Sequence, residues 1–173
     1  MKFNFFRIIF TSVILLIILI FFLSLNISNQ YDTSRLAGNK ISSFEIKEFF
    51  NDKLVTEKEL TKNDYNLINF WSSWCAPCRE EHNILLDLKN TNKIEMFGVN
   101  YKDKKINAKK FLAELGNPYD VTLEDRDGKQ SINFGIYGVP ESILIDKNLI
   151  IVKKFIGPLK TDDYTKILEI IKK

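Results

Sequence analysis

The sequence predicts one α/β domain that follows a single N-terminal membrane-spanning helix. Two observations lead to this prediction. Strand-like apolar runs alternate with helix-like amphipathic runs over residues 38–173, and residues 8–25 are apolar except at Thr11, Ser12 and Ser24. Such alternation is typical of domains in which helices cover a central sheet. A stretch of about 17–25 apolar residues is long enough for a helix to cross a bilayer.

The apolar N-terminal stretch predicts an uncleaved signal anchor. Lys2 and Arg7 precede it, and the positive-inside rule then places the N-terminus in the cytoplasm and the domain outside. A cleaved secretory signal is the alternative, but its apolar core is only about 7–15 residues long. We therefore expect residues 1–27 to hold the cytoplasmic N-terminus and the anchor, and the polar residues 28–37 to form a tether.

Charge argues against a nucleic-acid partner. The chain has 25 basic and 22 acidic residues, and Lys2 and Arg7 belong to the anchor segment. The domain is therefore close to neutral, with no basic excess of the kind that nucleic-acid binding requires.

The first half of the domain predicts a strand–helix–strand–helix order. Residues 67–71 and 94–101 are apolar runs of strand length, and residues 80–89 between them have helical character. The apolar residues of 108–115 recur at the i, i+3, i+4, i+7 spacing of an amphipathic helix, which Gly116-Asn-Pro ends.

The second half predicts a hairpin and a closing helix. Residues 121–123 are a short strand candidate, and residues 142–145 and 150–156 are strand-like runs around an Asp-Lys-Asn turn. Thr161 is a candidate N-cap for the last helix. A βαβ unit followed by a hairpin and a helix is the order of a thioredoxin-like three-layer sandwich with a central mixed sheet.

The two cysteines of the chain, Cys75 and Cys78, lie two residues apart between the first strand and its helix. Cys75 is then expected at the helix N-terminus, where free N–H groups and the macrodipole stabilise a thiolate. The pKa of a thiol in such motifs falls from about 8.5 to about 3.5–7.5. We predict dithiol–disulfide exchange, with Cys75 as the attacking nucleophile and Cys78 as the resolving thiol.

Two other interpretations of the cysteine pair are weaker. A structural disulfide that closes so short a loop stabilises by only about 2 kcal/mol. A zinc site could add His82 as a third ligand, but structural zinc takes four ligands and the chain has no second histidine or second cysteine pair. We expect no metal and no cofactor, and a structural or surface role for His82.

Further segments make a narrower match: the sequence resembles the CcmG/DsbE family, the membrane-anchored thioredoxin-like proteins of bacterial cytochrome c maturation. The CxxC pair alone would indicate only the thioredoxin superfamily, whereas the segments at 98–103 and 135–142 indicate this family. The matching segments, in family order, are WSSWCAPCREEH at 71–82, GVNYKD at 98–103, FLAELGNPY at 111–119, GIYGVPES at 135–142 and LID at 144–146.

The resemblance implies a function. Members of this family reduce the disulfide in the CxxCH haem-attachment site of apocytochrome c. It further implies a bacterial inner-membrane location with the catalytic domain in the periplasm, contact with other cytochrome c maturation proteins, and a membrane thiol transporter as electron donor. Exchange chemistry alone does not fix the direction of electron flow. A general periplasmic disulfide oxidant or isomerase therefore remains an alternative.

The resemblance also implies roles for residues around the cysteines. Pro140, after Val139, matches the cis-proline that faces the disulfide, where the backbone could pair with an extended substrate. Glu81 and Glu141 match acidic positions near the active site, where a carboxylate could accept the proton of the resolving thiol. Trp74 is expected to cover the edge of the site and, with Val139, to line the substrate groove.

Two alternatives belong to other functional classes. A peroxidase of the peroxiredoxin kind needs a threonine three residues before its cysteine, and this chain has Ser72 there. A non-catalytic binding module would use the same groove only to hold a partner, and it would tolerate the loss of Cys75.

Overall fold

The computed structural model describes residues 2–25 and 37–172. The chain divides into two compact units, with the boundary between residues 32 and 33. The predicted tether, residues 28–37, lies outside the described residues except for Ala37.

In the first unit, the described residues form one long helix, α1, over Lys2–Leu25. Its segment Phe5–Ser24 is apolar and long enough to cross a membrane, and none of it is buried in the protein. At about 1.5 Å per residue, twenty residues span about 30 Å, the thickness of the hydrocarbon core. A helix that is apolar on all sides is typical of a membrane span.

The second unit is a layered α/β domain. Within residues 37–172, seven strands form one sheet in the order β2-β1-β5-β4-β3-β6-β7. The strands are β1 Glu45–Glu48, β2 Leu54–Thr56, β3 Tyr65–Trp71, β4 Glu95–Tyr101, β5 Val121–Asp125, β6 Glu141–Asp146 and β7 Ile151–Ile156. The helices are α2 Ala76–Asn90, α3 Lys105–Leu115, α4 Lys129–Asn133 and α5 Thr161–Ile171, with a 3₁₀ helix at Glu57–Thr61.

The sheet is mixed, and its connections decide which helices share a face. Strands β3, β4 and β5 are parallel neighbours, whereas β6 pairs antiparallel with both β3 and β7. The β3–α2–β4 and β4–α3–β5 crossovers advance in the same direction along the sheet. Because such crossovers are right-handed, α2 and α3 lie on the same face.

Two apolar cores cover the two faces of the sheet. The first contains side chains of α2, α3 and α5 packed on the sheet, including Leu85, Phe111 and Ile167. The second lies on the opposite face and includes Leu60 of the 3₁₀ helix and Phe134 at the end of α4. This arrangement confirms the predicted three-layer thioredoxin-like fold.

The structure adds elements that the sequence pattern did not indicate. Strands β1 and β2, the 3₁₀ helix and α4 are each five residues or shorter, which is too short for a periodic pattern to be recognised. The predicted N-cap at Thr161 is wrong: Thr161 is the first helical residue, and Lys160 is the cap. The carboxylate of Asp163 accepts the backbone N–H of Lys160 at 3.2 Å.

Candidate active site

The cysteine pair lies where the central strand passes into α2. Cys75 is the N-cap of α2, with an extended backbone, and Pro77 lies in the first turn. Cys75 and Cys78 form a disulfide, and their Cα atoms are 5.3 Å apart. The backbone N–H of Cys78 donates to Sγ of Cys75 at 3.1 Å. The predicted position of Cys75 at the helix N-terminus is confirmed, and a backbone donor already faces the sulfur that would carry charge after reduction.

Both sulfur-bearing residues are buried in this oxidised form, Cys75 to 4% exposure and Cys78 to 2%. They belong to the core that α2, α3 and α5 cover, together with Trp71 at the end of β3. The two cysteines are therefore held by packed side chains of the core, which keeps their spacing suited to reversible closure of the disulfide.

The loop that precedes the cysteines is held by Asp103, which follows the neighbouring strand β4. The carboxylate of Asp103 accepts the backbone N–H of Ser73 at 2.6 Å and its hydroxyl at 2.9 Å. The same carboxylate accepts from the Asn100 amide at 3.1 Å and from the backbone N–H of Lys104 at 2.7 Å. Asp103 thereby fixes the approach to Cys75. The sequence showed Asp103 only as part of a matching segment and gave no sign of this role.

Trp74 precedes Cys75 in the chain, and its ring faces solvent. The side chain is 59% exposed, and its indole N–H donates to the carbonyl of Lys102 at 3.1 Å. An exposed aromatic side chain tethered at one end presents apolar surface to a partner at low entropic cost.

The Val139–Pro140 peptide bond is cis, as the resemblance implied. The pairing of Phe70 with Glu141 places this peptide at the end of the sheet where β3 leads into the cysteine loop. Val139 packs against both cores. The carbonyl of Pro140 accepts the N–H of Gly157 at 3.0 Å, so that carbonyl is already used within the domain.

Glu141 is buried in an ion pair. Its Oε2 lies 2.6 Å from Nζ of Lys154, and both side chains are at most 5% exposed. Its Oε1 accepts the backbone N–H groups of Tyr137 and Gly138 at 3.1 and 3.0 Å. Nζ of Lys154 also donates to the carbonyl of Gly135 at 2.5 Å. Since both oxygens are occupied, this geometry favours a role in shaping the loop at 135–140 over the proton transfer that the resemblance implied.

Glu81 occupies a different setting, inside α2 one turn beyond Cys78. The side chain is 1% exposed, and its carboxylate accepts the backbone N–H of Leu159 at 2.7 Å and the Asn69 amide at 2.9 Å. Burial raises the pKa of Glu81 from 4.5 to about 7, and the two hydrogen bonds limit the rise. Residues three apart on a helix lie on one face, about 5–6 Å apart at Cβ, so Glu81 can exchange a proton near neutral pH close to Cys78.

Sequence reasoning missed the polar groups that hold Glu81. Asn69 is a fully buried polar residue in the apolar strand β3, and it also contacts Tyr119 and Ser142 through side-chain hydrogen bonds. An asparagine within the apolar run of residues 67–71 was the available signal, because a buried amide must find partners. The identity of those partners depends on tertiary contacts.

His82 has contacts of the kind expected for a structural residue. Its ring is buried edge-on against Phe111, with centroids 5.3 Å apart, and Nε2 lies 3.0 Å from the carbonyl of Gly116. Burial lowers the pKa of His82. The expected structural role therefore agrees with its contacts.

A CxxC disulfide at the N-terminus of the helix that follows the central strand, in a thioredoxin-like sandwich, defines a thiol–disulfide oxidoreductase. The family model described as Redoxin matches residues 36–170, and the chain belongs to the Redoxin family.

Named relatives agree with this class. The chain is 38% identical to the thiol:disulfide interchange protein HelX of Rhodobacter capsulatus over 134 residues, 78% of this chain and 76% of the relative. It is 37% identical to the thiol:disulfide interchange protein DsbE of Pseudomonas fluorescens biotype C over 124 residues, 72% and 68% of the two chains. These similarities confirm the resemblance to the CcmG/DsbE proteins.

A solved structure confirms the fold. The solution structure of a thiol:disulfide interchange protein from Bacteroides sp. aligns with a TM-score of 0.66 and 25% identity, and the alignment covers 79% of this chain and 91% of the other.

Proposed function

We propose that this protein reduces the disulfide in the CxxCH haem-attachment site of apocytochrome c, so that the free thiols can bond haem. The observation that carries the proposal is the Cys75–Cys78 pair at the N-terminus of α2, with the backbone N–H of Cys78 directed at Sγ of Cys75. The choice of client is supported by the similarity to HelX and DsbE proteins and by the family segments around the site.

The reaction starts from the reduced dithiol. The Cys75 thiolate attacks one sulfur of the client disulfide, a mixed disulfide forms, and the first client sulfur leaves as a thiolate. Cys78 then loses its proton and attacks Sγ of Cys75, which releases the second client sulfur. Two electrons pass to the client, whose two sulfurs take up two protons, and the protein is left with the Cys75–Cys78 disulfide seen in the structure.

Glu81 is the proposed proton acceptor for Cys78. It lies one turn along the same helix, it is buried, and its pKa of about 7 suits proton exchange at neutral pH. Glu141 instead holds the loop that carries Val139 and Pro140, through its bonds to Tyr137, Gly138 and Lys154.

The client is proposed to lie beside the disulfide as an extended segment. Trp74 offers an exposed aromatic surface on one side, and the Val139–Pro140 peptide lies at the same end of the sheet. An extended peptide can gain main-chain hydrogen bonds at such a position.

Helix α1 is the proposed anchor in the inner membrane of a bacterium. It would hold the domain in the periplasm, since Lys2 and Arg7 favour a cytoplasmic N-terminus. Regeneration then requires a dithiol donor at the membrane, and a membrane thiol transporter is the proposed source. Alkaline carbonate extraction of membranes tests the anchor, because a spanning helix stays with the lipid and a peripheral protein is released.

The direction of electron flow is tested by the reduction potential of the full-length protein in detergent, equilibrated with glutathione or dithiothreitol. A value at or below about −270 mV supports a reductant, whereas a value near about −120 mV would identify an oxidant and overturn the proposal.

The client is tested with a matched pair of variants. Cys78→Ser keeps the nucleophile and should accumulate a mixed disulfide with apocytochrome c, whereas Cys75→Ser should trap nothing and abolish cytochrome c assembly. Normal assembly with Cys75→Ser would instead indicate a non-catalytic binding module.

A further inference from the structure

A continuous chain of buried hydrogen bonds ends at Glu81. The Tyr119 hydroxyl donates to Oδ1 of Asn69 at 2.7 Å. The amide nitrogen of Asn69 donates to Oε1 of Glu81 and to Oγ of Ser142, both at 2.9 Å. The second carboxylate oxygen accepts the backbone N–H of Leu159 at 2.7 Å. The chain links β3, α2 and β6 with the segments that precede β5 and α5.

Every side chain in this network is shielded from water. Asn69 is 0% exposed, and Tyr119, Ser142 and Glu81 are at most 3% exposed. The Tyr119 ring stacks on Trp71, with centroids 5.7 Å apart, so the hydroxyl has little freedom to find another partner. A buried donor that loses its acceptor is costly, and the orientation of the Asn69 amide therefore matters.

The amide can adopt two orientations. In the observed one, its NH₂ group faces Glu81 and Ser142 and its carbonyl faces Tyr119. In the reversed one, the carbonyl would face Glu81 and could only accept a proton from a neutral carboxylic acid. The NH₂ group would then face the Tyr119 hydroxyl, whose hydrogen would lose its acceptor.

We propose that Tyr119 and Asn69 are positioning residues for Glu81: the Tyr119 hydroxyl locks the Asn69 amide with its NH₂ group toward the carboxylate and thereby favours the ionised form of Glu81. This inference rests on the proposed role of Glu81 as proton acceptor for Cys78. This lock, the hydrogen bond from Tyr119 to Asn69, also lets Glu81 release the proton again after each cycle, so that the carboxylate is restored.

The surroundings of Glu81 are otherwise poor in charge. Among the described residues, the groups that bind its carboxylate are the Asn69 amide on β3 and the backbone N–H of Leu159, and Cys78 lies one turn earlier on α2. Burial raises the pKa of Tyr119 strongly, and the charge of Glu81 adds to the rise. Tyr119 therefore stays protonated at neutral pH and acts as a donor throughout.

The test is an NMR titration of the full-length protein in detergent, labelled with ¹³C at the glutamate carboxyl carbons. The resonance of Glu81 is assigned by its loss in Glu81→Gln. Tyr119→Phe keeps the ring and removes the hydroxyl, and we expect the titration midpoint of Glu81 to rise by roughly one unit, the equivalent of one hydrogen bond. Tyr65→Phe, at the far end of β3, is the matched control and should leave the midpoint unchanged.

The pH profile of thiol exchange gives the second readout. We expect the acidic limb for reduction of a peptide disulfide to move upward by the same amount in Tyr119→Phe, which a loss of packing alone would not produce. An unchanged midpoint in folded Tyr119→Phe overturns the proposal. If that variant loses cooperative unfolding, the side-chain amide resonance of Asn69 in the unaltered protein decides instead. A resonance that shifts with the midpoint of Glu81 supports an NH₂ group directed at the carboxylate, and an invariant resonance refutes the lock.

Failure of the Tyr119–Asn69 lock and failure of the sulfur chemistry give different experimental results. The carboxyl titration does not depend on catalysis, so it tests the lock alone. Loss of exchange in Cys75→Ser tests the sulfur chemistry alone.

Discussion

The Lys154–Glu141 ion pair makes a quantitative prediction about the loop that carries Pro140. Lys154→Met keeps the length of the side chain but removes the charge 2.6 Å from Oε2 of Glu141, at a place where both side chains are at most 5% exposed. Removing one member of a buried ion pair costs about 3–5 kcal/mol, because the remaining charge stays buried without its partner. We place the loss near about 3 kcal/mol, since two backbone N–H groups still bind Oε1.

The assay is urea unfolding of the oxidised full-length protein in detergent, followed by the fluorescence of Trp71 and Trp74. With a slope of about 2 kcal/mol per M urea, a loss of about 3 kcal/mol lowers the midpoint by about 1.5 M. Lys153→Met, one residue earlier on β7, is the matched control. Its Nζ lies 5.5 Å from the centroid of the Phe155 ring, and the expected loss is about 1 kcal/mol or less.

A second substitution tests the cause of the loss. Adding Glu141→Gln to Lys154→Met removes the unpaired charge, and the amide oxygen can still accept from Tyr137 and Gly138. The double variant should therefore be more stable than Lys154→Met alone. A loss below about 1 kcal/mol in Lys154→Met, or a double variant that is less stable still, would refute the assignment of a buried, stabilising pair.

Three further predictions concern the site itself. The pKa of Glu81 is raised from 4.5 to about 7 in the folded state, so the folded protein binds more protons than the unfolded protein between these pH values. Stability should therefore fall as the pH rises from 4.5 to 7, and urea unfolding of Glu81→Gln should show a flatter dependence of stability on pH. Asp103→Ala removes charged hydrogen bonds to the loop at Ser73, and it should cost about 2–3 kcal/mol in urea unfolding and slow the reaction of Cys75 with a disulfide probe; equal rates would contradict the positioning role. Trp74→Ala should change stability by about 1 kcal/mol or less because the side chain is exposed, yet lower the rate of client reduction in stopped-flow assays; an unchanged rate would remove Trp74 from the client surface.

Most of the fold was predictable because its long elements have strong patterns. The apolar run of β3 and the amphipathic spacing within α3 each correspond to an observed element. The short strand β2 pairs with β1, and β1 joins the sheet only through β5, which is distant in the sequence. A segment of three or four residues has too little local preference to specify such a pairing.

The sequence predicted the positions of the two cysteines in the fold, but it predicted the surroundings of the two carboxylates much less well. The apolar run of β3 and the helical pattern of α2 located the junction between strand and helix, and Cys75 lies at that junction. By contrast, Glu81 and Glu141 have the same side chain and were expected to play the same role. One is buried beside neutral donors and the other against Lys154, and the difference comes from residues far away in the sequence.

The sequence by itself determined the redox pair, the order of the longer strands and helices, and the apolar N-terminal helix, since each depends on residues that are close together along the chain. Only the tertiary structure decided which polar groups surround those sulfurs. Tyr119 reaches Asn69 across fifty residues, and Leu159 reaches Glu81 across seventy-eight. The physical reason is that the proton affinity of a buried group depends on its burial and its hydrogen-bond partners, and folding supplies both.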